Sequence, residues 1–261
     1  MNKIVVITGG SSGIGKCIAD IFKAQGEKVY IFARNIEQTE TDFCVDVCNE
    51  EAVKNAIEKI GSENKHIDII VNSAGFGLAG AAELTPTAEA KKEFDTNFFG
   101  TFVVNKYTIP FMPKDGKIIN ISSACALFPL PYRSLYCASK AAVNLYGESL
   151  AMELAASGIS VVNICPGDTK TNFCKNRVKM FETNERYGQS IEKSLNKVDG
   201  NQEKRMSAEF VAKKIVKITQ KKSPKPMYII GAKYKFLYFL SRIFPKKIMM
   251  HFTKKMFAKN K

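Results

Sequence analysis

The stretch "ITGGSSGIGK", residues 7–16, decides the fold, because it joins a short apolar run to a helical pattern through a glycine-rich turn. Gly9, Gly13 and Gly15 in it have the spacing Gly-xxx-Gly-x-Gly. Glycine permits a positive φ in a tight turn, and the missing Cβ lets the main chain approach a pyrophosphate. The N–H groups at the start of the following helix can bind an anion. The stretch therefore predicts a strand, a phosphate-binding turn and a helix, in that order.

Apolar runs of strand length recur along the chain between helical patterns, which place apolar residues such as Ile14, Ile18 and Ile21 at helical spacing. This alternation predicts an α/β fold with parallel strands, right-handed crossovers and helices on both faces of the sheet. Ligands of such a sheet bind beyond the carboxyl ends of its strands. The seven runs are "KIVVITG", "KVYIFAR", "FCVDV", "IDIIVNSAG", "GKIINISS", "ISVVNICPG" and "PMYIIG".

The composition favours a single globular domain. The chain has 261 residues, of which 45% are apolar, and no segment is rich enough in Gly, Ser or Pro to be a linker. The N-terminus, "MNKIVVITGG", predicts a strand and a turn instead of a signal peptide. Seven cysteines without a CxxC pair, and only two histidines, predict buried thiols and no metal site. We therefore expect a cytoplasmic protein.

The positive charge is concentrated in the C-terminal part of the chain. The net charge is +14, and residues 210–261 contain fifteen Lys or Arg but no Asp or Glu. The first 209 residues carry a net charge of −1, from 24 basic and 25 acidic residues. The high isoelectric point therefore describes the tail and not the body of the protein.

The second candidate strand ends in "IFARN", which places Ala33 and Arg34 where an acidic residue would otherwise bind the adenosine ribose hydroxyls. A guanidinium forms charge-assisted hydrogen bonds with a 2′-phosphate, which a carboxylate would repel. Arg34 therefore predicts NADP(H) as the cofactor, with NAD(H) as the alternative. An ordinary surface arginine remains open, and Ser12 supplies no second cation in the first turn.

The stretch "LYCASKAAVNLYGESLAMEL", residues 135–154, predicts a helix. Tyr136 and Lys140 are four residues apart, so that their side chains share one face of this helix. Alone, the two residues fit an amphipathic helix with a solvent-reaching lysine equally well.

Several motifs together resemble those of the classical short-chain dehydrogenases/reductases, over roughly residues 3–231. The motifs occur in the order typical of that family, and Ser123 precedes Tyr136 by thirteen residues, as it does there. The resemblance implies a Rossmann-type doubly wound sheet of about seven parallel strands, and hydride transfer between a nicotinamide and a carbonyl or secondary alcohol. The motifs are "TGGSSGIG" (8–15), "NSAG" (72–75), Asn97, "ISS" (121–123), "YCASK" (136–140) and "PG" (166–167).

The resemblance also implies roles for individual residues. Tyr136 would be the catalytic acid or base, and Lys140 would lower its pKa and bind the nicotinamide ribose. Ser123 would donate a hydrogen bond to the substrate carbonyl oxygen, and the backbone of Asn97 would hold a water of a proton relay. Asp168 is unusual at its position. The expected cofactor contacts are Gly9, Ser11, Ser12, Gly13, Ile14, Gly15, Arg34, Asp46, Val47, Asn72, Ala74, Gly75, Tyr136, Lys140, Pro166, Gly167, Thr169 and Thr171.

Two segments are expected to determine the substrate and the partners. Residues 172–206 correspond to the substrate lid of the family, although an ordinary pair of surface helices would show the same pattern. Residues 232–261 extend the catalytic domain, residues 1–231, by a basic amphipathic segment that could contact anionic lipid, its own domain or another subunit. Its apolar face would contain Ile248, Phe252 and Met256, and the opposite face Lys247, His251 and Lys254.

We expect an apolar carbonyl or alcohol substrate that is steroid-, retinoid- or acyl-chain-like, and a homodimer or homotetramer as in the family. No nucleic-acid partner is expected, because no recognised binding motif accompanies the basic tail. Two other functions remain open: a catalytically silent NADP-binding sensor or scaffold, and an epimerase or dehydratase of the extended relatives. The intact Ser123, Tyr136 and Lys140 argue against the sensor, and the glycine spacing argues against the extended enzymes.

Overall fold

The computed structural model of the chain describes residues 2–173, 177–180, 182–199 and 205–257. Within these ranges the chain forms a seven-stranded sheet and two small additional sheets. One small sheet pairs Leu78–Ala79 with Val178–Lys179, and the other pairs Thr169–Lys170 with Met206–Ser207. Both small sheets therefore connect the predicted lid to the body of the protein.

The main sheet confirms the seven predicted strands. They are β1 Ile4–Thr8, β2 Lys28–Ala33, β3 Asp42–Cys44, β4 Ile69–Asn72, β5 Lys117–Ile121, β6 Ser160–Pro166 and β7 Met227–Ile230. Their order across the sheet is β7-β6-β5-β4-β1-β2-β3, and every pairing is parallel. Thr8 pairs with Phe32 on one side and Asn72 on the other, so that β1, β2 and β4 end close together. The order reverses beside β1, which creates a ligand-binding crevice at the carboxyl ends.

Helices cover both faces of the sheet, as predicted. Those of the described residues are α1 Gly13–Ala24, α2 Glu50–Asn64, α3 Thr87–Phe94, α4 Gly100–Thr108, α5 Ser134–Glu153, α6 Ser190–Asp199, α7 Ala208–Thr219, α8 Ala232–Ile243 and α9 Lys246–Phe257. α1 and α7 pack on one face, and α2, α4 and α5 pack on the other. Because side chains alternate along a strand, Val5 and Ile7 of β1 pack against the α1 and α7 layer. Ile4 and Val6 pack against the layer of α2, α4 and α5.

Local sequence signals explain where α2 begins and ends. The Asn49 side chain accepts a hydrogen bond from the Ala52 backbone N–H at 3.0 Å, and Glu50 and Glu51 occupy the first turn, where the helix dipole favours negative charge. The helix ends at Lys65, whose φ of 65° lies in the left-handed region. These signals fix the ends of the helix, and the helical spacing of its apolar residues turns Val53, Ile57 and Ile60 toward the sheet.

Buried asparagines link the three strands at the centre of the sheet. The Asn72 side chain donates to the Oδ1 atoms of Asn105 and Asn120, at 2.7 and 2.9 Å. Asn120 in turn donates to Asn163 Oδ1 at 3.2 Å, and Asn163 donates to the carbonyl of Asn144 at 2.8 Å. Because buried amide groups are costly when unpaired, this network favours one register of β4, β5 and β6.

The residues that follow β7 fold back on the domain. Tyr234 and Leu237 of α8 are buried against Ala124 and Phe128, in the segment that follows β5. α9 packs against α6 and α8. The predicted boundary at residue 231 therefore coincides with the end of a strand, but it does not separate an independent unit.

The outer surface of α8 and α9 exposes apolar side chains among basic ones. On α9, Met249 and Thr253 are the side chains that pack inward, with exposed fractions of 6% and 3%. Ile248 and Phe252, which the sequence places on the apolar face, are 42% and 54% exposed. No helix among the described residues is long and apolar enough to span a bilayer.

Candidate active site

The glycine-rich turn between β1 and α1 has the predicted geometry. Gly9 and Gly13 have φ values of +65° and +57°, which side chains rarely adopt. A Cβ at Gly9 would lie 2.9 Å from the main chain of Ala74, and one at Gly15 would lie 2.5 Å from the Gly9 carbonyl oxygen. Ser12 precedes α1 without capping it through its side chain. The turn is thus a cradle of bare main chain at a helix N-terminus, and its geometry fits a pyrophosphate.

A cavity of about 490 Å³ extends from this turn across the carboxyl ends of the strands. Arg34, at the end of β2, is exposed and lines the cavity. The other predicted cofactor residues in the wall are Gly9, Ser11, Ser12, Gly13, Ile14, Asp46, Val47, Ala74, Gly75, Tyr136, Lys140, Pro166, Gly167, Thr169 and Thr171.

Two predicted cofactor residues do not line this cavity. Asn72 was expected to line the ribose site, but its side chain is 3% exposed and belongs to the asparagine network of the sheet. Its role in this structure is to stabilise the strands, which the sequence motif alone could not distinguish from a ligand contact. Gly15 does not line the cavity, but its missing Cβ leaves room for the carbonyl oxygen of Gly9 and so permits the tight turn.

Three of the four predicted catalytic residues meet in the cavity wall. Ser123 follows β5, and its Oγ accepts a hydrogen bond from the Cys125 N–H at 3.1 Å. Lys140 is 5% exposed, and its Nζ donates to the Ile121 carbonyl at 3.0 Å. Tyr136 lies one turn earlier on α5 and completes the group. The helical spacing and the end of β5 thus bring together a phenol, a hydroxyl and an ammonium.

Asn97 lies behind this group and does not line the cavity. It is fully buried in a π-helical turn, Asp95–Phe99, between α3 and α4. Its side chain exchanges two hydrogen bonds with the backbone of Phe76, each 3.0 Å long, and donates to Ser139 Oγ at 3.1 Å. π-helical turns are rare and frequent at functional sites. The water-binding role expected of its backbone stays a prediction.

Burial dominates the titration of the catalytic side chains. Burial raises the pKa of Tyr136, the charge of Cys125 raises it further, and contacts with Ser123 and Arg177 lower it. The expected lowering of this pKa by Lys140 is therefore not found. Burial also lowers the pKa of Lys140 to about 8. A phenol with a raised pKa keeps its proton at neutral pH, so the half-buried Tyr136 is available as a proton donor, and its catalytic role stays a prediction.

Glu93 is a buried carboxyl group that the sequence did not reveal. It lies in "KKEF" on α3, which reads as a surface helix, yet its side chain is fully buried. Its Oε1 accepts a hydrogen bond from the Leu78 N–H at 2.8 Å, whereas its Oε2 has no hydrogen-bond partner among the described residues. Burial raises its pKa to about 7, and the charge of Lys140 opposes this shift.

The remaining wall comes from the lid and from α8. The Phe173 ring lies 5.8 Å from the Tyr136 ring, and Arg177 also lines the cavity. Tyr234 of α8 reaches the wall as well, so that the C-terminal extension contributes directly to the site. Residues 174–176, 181 and 200–204 of the predicted lid lie outside the described residues.

Comparison with known proteins agrees with this geometry. Residues 3–181 match the family model of the short chain dehydrogenases. The chain is 35% identical to 3-ketodihydrosphingosine reductase from Bacteroides thetaiotaomicron, over 98% of this chain and 97% of the relative. It is 33% identical to the probable short-chain type dehydrogenase/reductase VdlC from Helicobacter pylori, over 93% of each chain. The solved structure of ElxO with NADP bound has a TM-score of 0.74 and 29% identity, and the match covers 90% of this chain and all of that one.

The family match includes both the glycine-rich turn and the predicted catalytic residues. The glycine-rich turn, Ser123, Tyr136 and Lys140 all lie within the matched residues. The two bacterial relatives extend the similarity to nearly the whole chain. The chain therefore belongs to the classical short-chain dehydrogenases/reductases, which are oxidoreductases that use a nicotinamide cofactor and act on carbonyl or alcohol groups.

Proposed function

We propose that this oxidoreductase is an NADP(H)-dependent reductase of ketones that carry an apolar chain. The observation that carries the proposal is the convergence of Ser123, Tyr136 and Lys140 on the cavity that also contains the glycine-rich turn and Arg34. A silent sensor would have no need of this convergence. The proposal therefore assigns turnover to the site.

NADPH would supply the hydride that reduces the carbonyl carbon. Ser123 Oγ donates a hydrogen bond to the carbonyl oxygen and stabilises the negative charge that develops there. Tyr136, protonated because burial raises its pKa, transfers its proton to the same oxygen. Lys140, held by the Ile121 carbonyl, presents its ammonium to this region and orients the cofactor ribose. These assignments favour the direction of carbonyl reduction.

The preference for NADP(H) rests on Arg34. Its guanidinium follows β2 at the edge of the cavity and is accessible to the 2′-phosphate of a nucleotide whose pyrophosphate lies on the glycine-rich turn. Thr169 and Thr171, which follow β6, would contact the nicotinamide half. The solved relative ElxO has NADP bound, which supports the same choice here.

The substrate class is inferred from the cavity wall and from a relative. Phe76, Phe173 and Val178 give the wall an apolar part, in which the Phe173 ring lies 5.8 Å from the Tyr136 ring. The relative from Bacteroides thetaiotaomicron is named for a ketone, 3-ketodihydrosphingosine. We propose that this chain also reduces a ketone with a long alkyl chain, in preference to steroid- or retinoid-like ketones.

A direct assay tests the proposed function. The loss of reduced-nicotinamide absorbance would be followed with NADPH and with NADH, on long-chain ketones, ketosteroids, retinal and small polar carbonyls. We expect turnover of the long-chain ketones with NADPH. Turnover of small polar carbonyls alone would contradict the substrate class, and no turnover with NADPH still bound would favour the sensor.

We also propose that α8 and α9 contact an anionic membrane surface. Phe236, Phe239 and Ile243 of α8 are 62%, 59% and 60% exposed, and Phe252 of α9 is 54% exposed. Exposed apolar side chains surrounded by lysines, with no acidic residue after residue 209, suit the interface of an anionic bilayer. Contact with a membrane would also bring the active site close to substrates dissolved in lipid.

The double substitution Phe236→Ser and Phe239→Ser is expected to abolish sedimentation with anionic liposomes at low salt. Point substitutions are preferable to deletion after residue 231, because deletion would remove Tyr234 from the cavity wall. The control is Phe210→Ser, which removes an exposed apolar side chain from α7. Equal sedimentation of both variants and the unaltered protein would contradict membrane contact.

The homodimer or homotetramer implied by the family is likewise a proposal. Four apolar side chains on or beside α4 and α5 support it, because they are exposed in the single chain and a subunit interface would bury them. They are Phe99, Phe102, Leu145 and Met152. Analytical ultracentrifugation of the unaltered protein and of the double variant Leu145→Ser with Met152→Ser on α5 would reveal whether this face forms an interface.

A further inference from the structure

Asp168 brings an accessible carboxylate to the active-site wall. It follows Pro166 and Gly167 at the end of β6, and it lines the same cavity as Ser123 and Tyr136. Its side chain is exposed, and among the described residues no Lys or Arg forms an ion pair with it. None of the steps proposed above for carbonyl reduction uses this charge.

Tyr234 holds Asp168 in place. Its Oη donates a hydrogen bond of 2.5 Å to Asp168 Oδ2, and its ring packs on Gly167 so closely that a Cβ there would lie 2.1 Å from the ring. Burial and the charge of Asp168 raise the pKa of Tyr234, so the phenol stays neutral and donates to a carboxylate. One residue of α8 therefore orients the carboxylate in the cavity wall.

Arg133 supplies a complementary group in the same wall. It precedes α5 and is only 8% exposed, yet its Nη2 has no hydrogen-bond partner among the described residues. Buried guanidinium groups normally have every N–H paired. Arg133 and Asp168 both act on the nearby thiol of Cys125: a hydrogen bond with Cys137 is the main cause of its lowered pKa, Arg133 lowers the pKa further, and Asp168 raises it.

We propose that Asp168 and Arg133 form a recognition site for the polar end of the substrate, in which Asp168 binds a protonated amine and Arg133 Nη2 donates to a hydroxyl oxygen. This inference rests on the proposed function, and it defines the substrate as a long-chain ketone whose polar end carries an ammonium group. An anionic group at the same place would meet the repulsion of Asp168. Tyr234 is a positioning residue, because it acts through Asp168.

The test measures binding, so that it does not depend on turnover. Three ligands with one common alkyl chain, an amino alcohol, the matching diol and the matching hydroxy acid, would be titrated calorimetrically into the protein saturated with NADP⁺. We expect the amino alcohol to bind about 10- to 100-fold more tightly than the diol, which is the range of one hydrogen bond to a charged group. The hydroxy acid is expected to bind most weakly.

Asp168→Asn preserves the shape of the side chain and removes its charge. It is expected to weaken the amino alcohol by about 10- to 100-fold and to leave the diol within about threefold. Asp20→Asn, which neutralises an exposed carboxylate of α1 outside the cavity, is the matched control. Arg133→Lys is expected to weaken the amino alcohol and the diol together by about tenfold, and unchanged NADP⁺ affinity would show that each variant is folded.

Several results would overturn the inference: no measurable binding of the amino alcohol, tighter binding of the hydroxy acid, or an unchanged preference in Asp168→Asn. If Arg133→Lys left the diol unaffected, Arg133 would be excluded from the site. The proposed function fails in a different way, because the amino alcohol would still bind in preference to the diol while no long-chain ketone is reduced. The two proposals can therefore be distinguished.

Discussion

Tyr136→Phe is expected to lower kcat for ketone reduction by about 10³-fold, because the substitution removes the proton that must reach the carbonyl oxygen. The affinity for NADPH should change by less than about threefold, since the phenyl ring still packs against Phe173 and Lys140 keeps its bond to the Ile121 carbonyl. Stopped-flow hydride transfer and fluorescence titration with NADPH would measure the two effects separately.

Tyr146→Phe is the matched control for this substitution. Tyr146 lies on the same helix, α5, and its hydroxyl has only a 3.5 Å contact with the Asn105 side chain. It does not line the cavity, so we expect its loss to leave kcat within about twofold, as surface and peripheral changes usually do. If Tyr136→Phe retained the activity of the unaltered protein, the mechanism proposed here would be wrong.

The fold could be predicted because its signals are local and mutually consistent. The seven apolar runs became the seven strands of one sheet, whose central strands are buried between two helical layers. The glycine-rich turn was predictable for the same reason, since positive φ and close approach of main chains exclude other residues. Spacing along α5 was sufficient to place Tyr136 and Lys140 on one face.

Other parts of the site could not be predicted, because they depend on contacts between distant segments. Asn72 stands in a motif that resembles a ligand contact, yet its amide pairs with asparagines of two other elements. Glu93 lies among lysines in the sequence, but α3 turns it inward beneath Leu78. Tyr234 belongs to an extension whose contact surface the sequence left open, and only the folded chain brings it to Asp168. No periodicity or local motif encodes such pairings.

The direction of the pKa shift of Tyr136, the predicted catalytic tyrosine, also required the structure. Four-residue spacing predicts that Lys140 stabilises the phenolate of Tyr136, but spacing says nothing about burial. The folded chain buries Lys140 and half-buries Tyr136, so the pKa of the phenol is raised and the pKa of the ammonium is lowered to about 8. Deprotonation of Lys140 near this value should weaken its hold on the cofactor ribose as the pH rises.

Arg34→Ala is expected to raise the dissociation constant for NADPH by about 10- to 100-fold, because hydrogen bonds from a guanidinium to a phosphate contribute roughly 1.5–3 kcal/mol. NADH lacks the 2′-phosphate, so its dissociation constant should change by less than about threefold. The two dissociation constants would be measured by fluorescence titration at low and at high salt. Because Arg34 is exposed, the loss for NADPH should shrink as salt screens the charge.

Arg34→Lys and Arg242→Ala make this test specific. Lysine keeps the charge of Arg34 but not its planar fork, so that Arg34→Lys should lose part of the NADPH affinity and leave NADH unaffected. Arg242 is exposed on α8 and does not line the cavity, so its substitution controls for the general loss of one positive charge. Equal losses for NADPH and NADH in Arg34→Ala would show that Arg34 does not contact the 2′-phosphate. The cofactor preference would then have to come from another cation in the wall of the same cavity.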